Sequence, residues 1–207
     1  MRIRLAALVL VISLFPVCYA RAQDDEGYAA ERQAAANFAL KQLPNRDPLV
    51  RQRAAEVLAK FSVVEHRRLA EGYRLQEKND RVRLALDWAL YRMGKTDALY
   101  GVVRELRSDG RRPQAVGYLS QLVDPQPLYS FLDRADRKSL IGLFEVMAVI
   151  GDSNTFELIK PFSASDDPDV SDAAKFAQKE IAARLAKTSP GAATRPREVR
   201  AGGTTSP

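Results

Sequence analysis

Cysteine occurs once in these 207 residues, as Cys18, and histidine once, as His66. A lone cysteine excludes a disulfide framework, and Cys18 falls in an N-terminal stretch that reads as removable. The mature chain would then hold no thiolate metal ligand and no cysteine nucleophile. A Ser-His-Asp triad would have to use His66, and no nucleophile elbow accompanies it. Nor do metal-binding partners cluster around His66, which is flanked by Glu65, Arg67 and Arg68 and reads as part of a charged helix face. Phosphate-binding glycine loops are absent, and Asp166-Asp167-Pro168-Asp169 lacks the glycine and distal Glu of a calcium loop. No catalytic, cofactor-binding or metal-binding residue is assigned.

Long apolar runs are missing too. The apolar run from Leu5 to Phe15 covers 11 residues, against the roughly 20 that a spanning helix needs. With Arg2 and Arg4 before it and Ala20-Arg21-Ala22 after it, the run has the layout of a secretory signal peptide over residues 1–22. The expectation is an exported protein, periplasmic or extracellular, with no integral membrane span after cleavage. Phe15-Pro16-Val17 lacks the small residue that a lipoprotein site places before its cysteine. An excess of charge is also missing where it would matter. The formal net charge is +6, but residues 23–186 hold 25 basic and 25 acidic side chains. Binding to nucleic acid draws its affinity from counterion release, and a neutral domain is a poor candidate for it. From Lys187 to Pro207 the chain is rich in Pro, Gly, Ser and Thr, and is expected to be a disordered tail.

What remains, residues 23–186, repeats itself. With Val50 placed over Val82, both stretches have a polar residue three positions earlier (Asp47, Asn79) and an Arg one position later (Arg51, Arg83). Both also have apolar residues four, seven and eight positions later. The frame returns at Asp167-Pro168-Asp169-Val170, and in weaker form from Asp136 and from Asp109. The starts at 47, 79, 109, 136 and 167 are 32, 30, 27 and 31 residues apart, a period that marks a stacked array. Asp47, Asn79, Asp136 and Asp167 stand where a side-chain oxygen can cap the free amides of a first helical turn. Pro48 and Pro168 take first-turn positions that need no amide hydrogen. Gly94 and Gly151 are expected to stop the preceding helices, with Thr96-Asp97 and Ser153-Asn154 opening the next. The fold class is therefore all-α: a solenoid of about five helical hairpins, in which neighbours share a core that none can build alone.

The pattern acid-Pro-x-Val-Arg-x-x-Ala-Ala-x-Val-Leu at residues 47–58, echoed at 79–90 and 167–177, resembles HEAT repeats, in particular the short class of phycobilisome-lyase-like proteins. The resemblance covers about residues 30–186. It implies a scaffold that binds a protein through its concave face, and a ladder of ion pairs involving Asp47, Arg51, Arg83 and Asp167. Ser171 replaces the ladder Arg in the last copy, as suits a terminal repeat with the charged outer residues Asp166, Asp169, Asp172, Lys175 and Lys179. Two alternatives stay open: an enzyme or adaptor resembling bilin lyases, and, less favoured, nucleic-acid binding as in some HEAT-like glycosylases.

The segment from Asp80 to Met93 carries apolar residues on two sides. Val82, Leu86, Ala89 and Met93 form one stripe; Leu84, Trp88 and Tyr91 form another. The second stripe is read either as packing against neighbouring repeats or as a partner anchor in which Trp88 and Tyr91, edged by Arg53, Arg83 and Arg92, supply the residue types that dominate binding hot spots.

Overall fold

The computed structural model describes residues 15–188, with side chains from Gly27 to Lys187. Residues 1–14 and 189–207, which carry most of the expected signal peptide and tail, lie outside the described residues. Among those described, every regular element is helical and no strand occurs. No helix among them is long and apolar enough to cross a membrane. The chain divides into two compact units, one ending at Leu119 and one beginning at Ser120.

The first unit contains α1 (Phe15–Gln42), α2 (Pro48–Phe61), α3 (Arg67–Gln76), α4 (Asp80–Arg92), α5 (Leu99–Arg104) and α6 (Arg112–Leu119). α2 lies between α1 and α4, and α4 also packs against α3, α5 and α6. In the second unit are α7 (Gln126–Leu132), α8 (Arg137–Ile150), α9 (Ser153–Ile159) and α10 (Pro168–Thr188). There α8 and α10 lie against each other, and α9 packs on α10.

Local chemistry explains where the helices begin. Asp47 accepts from the Leu49 amide, Asn79 from Arg81 and Val82, Asp136 from Ser139, and Asp167 from Asp169 and Val170. Each bond satisfies an amide that the helix itself leaves free, worth about 1 kcal/mol per cap. Pro48 and Pro168 are the first residues of their helices, as expected. The faint copy at Asp109 departs from the pattern. A turn occupies residues 109–111 and α6 starts only at Arg112, because Pro113 must fall in the first turn, where its missing amide does no harm.

The ends of the helices match the expectation less closely. Gly94 does take the left-handed backbone, with φ +89°, that glycine adopts without steric cost. Gly151 also ends its helix as expected, its amide donating to the Met147 carbonyl, but in an ordinary conformation with φ −61°. A Cβ there would sit 2.5 Å from the Met147 carbonyl oxygen and 2.7 Å from Ile181 Cδ1, so the glycine is needed for close approach. Arg184 of α10 then donates to the carbonyls of Ala148 and Gly151 and caps α8 from outside. At α9 the cap is Asp152, in a reciprocal box with Thr155, and not Ser153-Asn154. The Thr155 amide and hydroxyl hold the Asp152 carboxyl below its usual range.

The expected stripes form the core. Ala54 and Leu58 of α2, Val82, Leu86, Ala89 and Leu90 of α4, Leu143, Val146 and Met147 of α8, and Val170, Ala174 and Ala177 of α10 are all buried. Val50, Val57 and Val116 are only half-buried. Fully burying each Leu or Val stabilises by about 1.5–3 kcal/mol relative to leaving it exposed.

The ion pairs differ from the ladder that the resemblance implies. Arg51 grips Glu77 with Nε and Nη2, both at 2.8 Å, and also donates to the carbonyls of Asn45 and Arg46. Arg83 pairs with Asp80 of its own helix, and Asp167 with Arg137. The geometric reason is that Glu77, two residues ahead of the α4 cap, reaches the Arg51 fork, while Asp47 is turned to cap its own helix. Ser171 is buried and donates to the Ser163 carbonyl, and the outer charges Asp166, Asp169, Asp172, Lys175 and Lys179 are exposed.

This pair sets an acid dependence. The Arg51 fork, with the Asn79 amide at 2.8 Å, holds the Glu77 carboxyl below its ordinary value, which is about 4.3. A carboxylate with a depressed folded pKa stabilises the fold above its unfolded pKa, and that contribution is lost as pH falls through the lower folded value. Arg51→Gln is therefore expected to lower the urea midpoint near neutral pH and to flatten its fall below about pH 4. Parallel curves for wild type and variant would contradict the assignment.

Candidate functional site

Glu56, Trp88 and Tyr118 each stand nine residues after a repeat start, at 47, 79 and 109. Equal register brings the three to one level of α2, α4 and α6. The Tyr118 hydroxyl donates to Glu56 Oε1 at 2.7 Å and accepts from Gln114 Nε2 at 2.8 Å, while Gln52 donates to the same Glu56 oxygen at 2.9 Å. Side chains of the first and third of these helices thus meet over the second. Beneath them the Trp88 ring lies parallel to Tyr118, with centroids 5.9 Å apart and planes within 2°. Burial first, and then the adjacent Glu56 carboxylate, push the Tyr118 phenol well above its ordinary range.

Trp88 is only 1 % exposed and presents no surface to a partner. Its reading as a docking anchor is therefore corrected: the second apolar stripe of α4, Leu84 included, is core. Tyr91 is half-buried and stacks on Trp88 at 5.6 Å; Arg92 is exposed and holds its guanidinium 5.7 Å from the same ring. Arg53 is exposed on α2, one turn before Glu56. Arg83 does not join this group. At 3.6 residues per turn it lies about 140° around α4 from Trp88, where it pairs with Asp80.

Sequence reasoning missed three features. His66 is buried, 3.3 Å from the Gln33 amide of α1. Its neighbours Glu65, Arg67 and Arg68 are exposed, and they disguise a residue whose short 3-10 turn, Val64–His66, points it inward. Asp87 is also buried in α4. Its carboxylate accepts from Arg74 Nε at 2.7 Å and Nη2 at 3.1 Å. Gly101 of α5 makes room for it, because a Cβ there would come within 2.5 Å of Asp87 Oδ2. The third feature is charge segregation: residues 23–119 carry 18 basic side chains against 14 acidic, and residues 120–186 seven against 11. The neutrality of the whole domain conceals a basic first unit.

Exposed Arg53 and Arg92 and half-buried Tyr91 offer guanidinium forks and an aromatic edge, groups that recognise carboxylates and apolar side chains. Among the described residues no three His, Cys, Asp or Glu side chains are grouped so as to hold a metal ion. No family model matches the chain, and no curated protein sequence matches it.

Proposed function

We propose that this chain is an exported, non-enzymatic interaction module, that each of its units is a short stack of HEAT-like helical hairpins, and that a protein partner docks on the first unit at Arg53, Tyr91 and Arg92. The observation that carries the reading is the recurrence of one helix start. Capped helices begin at Pro48, Asp80, Arg137 and Pro168, and successive ones within a unit pack side by side, α2 on α4 and α8 on α10. Such arrays build extended surfaces from repeated elements. Arg and Tyr are enriched where partners bind most strongly.

The test is cross-linked capture from the exported fraction with wild-type protein and with Arg53→Glu/Arg92→Glu. The wild type is expected to retain a defined protein that the variant loses, with unchanged helical circular dichroism. Equal recovery by both would retire this face. Recovery of the chain only from the cytoplasm would retire export.

A further inference from the structure

We propose that the edge of the first unit formed by the start of α4 and the segment 104–112 is a second docking site, one that takes an acidic segment of a partner protein. Two carboxylates already show how the edge binds. Asp80 is held at once by Arg83 of its own helix and by Arg111 at 3.2 Å, and Glu105 is held by Arg111 and by Arg104 at 3.5 Å. The two strands of this network are tied together by Arg81, which reaches the Gly110 carbonyl at 3.4 Å, and by Gln114, which donates to the Arg81 carbonyl at 3.0 Å. Arg83, Arg104 and Arg111 thus gather on two carboxylates, Asp80 and Glu105, and the same two segments also carry Arg81, Arg107 and Arg112 against one further acid, Asp109.

The balance is uneven, and the excess faces water. Arg81, Arg104 and Arg107 are exposed. Three other acids of the unit are consumed internally: Glu77 by Arg51, Asp87 by Arg74, Glu71 by Lys95. A guanidinium presents five N–H donors in a planar fork that matches a carboxylate in two-point contact. Arg83 and Arg111 converge on Asp80, and Arg104 and Arg111 on Glu105, so the ligand this edge fits is a side-chain carboxylate. Tyr100, 62 % exposed and one turn before Arg104 on α5, adds an apolar contact that an acidic helix carrying a hydrophobic residue would cover. This site uses none of Arg53, Tyr91 and Arg92 and does not depend on them.

The test uses the full chain and fluorescently labelled poly-L-glutamate in low-salt buffer, read by anisotropy. Arg81→Glu/Arg107→Glu is expected to weaken binding about tenfold or more, the scale of one lost charge-assisted contact. Arg67→Glu/Arg68→Glu makes the same change in net charge near Gly94, at the opposite end of α4, and should leave affinity within about threefold. Arg81→Gln/Arg107→Gln, with circular dichroism of all variants, separates lost binding from lost folding. No binding by wild type would overturn the proposal, as would equal weakening by both reversals. Tighter retention of duplex DNA or of anionic vesicles, lost through the same Arg81 and Arg107 changes, would reassign the edge away from protein. If poly-L-glutamate fails while capture at Arg53 and Arg92 succeeds, only this edge is withdrawn.

Discussion

Trp88→Ala is expected to cost about 3–5 kcal/mol, the range for removing a buried aromatic from a packed core. The ring is covered on one side by Tyr118, flanked by Tyr91 and approached by the Arg92 guanidinium. Its loss leaves a cavity under the Glu56–Tyr118 bond, which side chains on three different helices would have to move together to fill. Trp88→Phe keeps most of the volume and is expected to cost less than half as much. Urea unfolding followed by circular dichroism checks both. In the wild type the same transition can be followed by fluorescence, because Trp88 is the only tryptophan; the emission should be that of an indole shielded from water and should shift to the red as the unit opens. A Trp88→Ala protein within about 1 kcal/mol of wild type would mean that the ring is a surface group. The anchor reading would then return.

The contrast between Trp88 and the helix starts shows what a sequence can disclose. Asp47, Asn79, Asp136 and Asp167 cap helices through bonds to amides two or three residues away. Such chemistry is local, and spacing alone reveals it. The core stripes are equally legible because helical periodicity selects Leu58, Leu86, Met147 and Ala177 without reference to anything distant. Trp88 is another matter. Its two-sided helix was visible, but whether the second side meets solvent or protein depends on Glu56, 32 residues earlier, and Tyr118, 30 later. The repeat register does bring these three into one row, so a column-by-column comparison of the copies held a usable signal. The resemblance-based ladder failed for a related reason. Asp47 caps its own helix, and Glu77, outside the repeated pattern, takes the Arg51 fork in two-point contact. Charge segregation was present in the composition of each half and vanished only in the total.

Arg74→Met should be as damaging as any surface-directed change can be, because its partner is not at the surface. The Asp87 side chain is 7 % exposed and Arg74 is 29 % exposed, so removing the cation strands a carboxylate among α3, α4 and α5. Breaking a buried pair in this way costs about 3–5 kcal/mol, most of it the penalty of the charge left behind. The reciprocal change is milder. Asp87→Ala leaves Arg74 able to reach water, and its residual cost is the small void facing Gly101. The two changes should therefore fail to add: Arg74→Met/Asp87→Ala is expected to be more stable than Arg74→Met alone, since no unpaired charge remains inside. Urea midpoints for the four proteins of this cycle measure the coupling directly. Additive losses would show that water already reaches Asp87 and that the pair contributes little. Strong coupling would explain why a helix otherwise apolar on both sides keeps one carboxylate, and why α5 carries a glycine opposite it, where any Cβ would displace the acceptor that Arg74 requires.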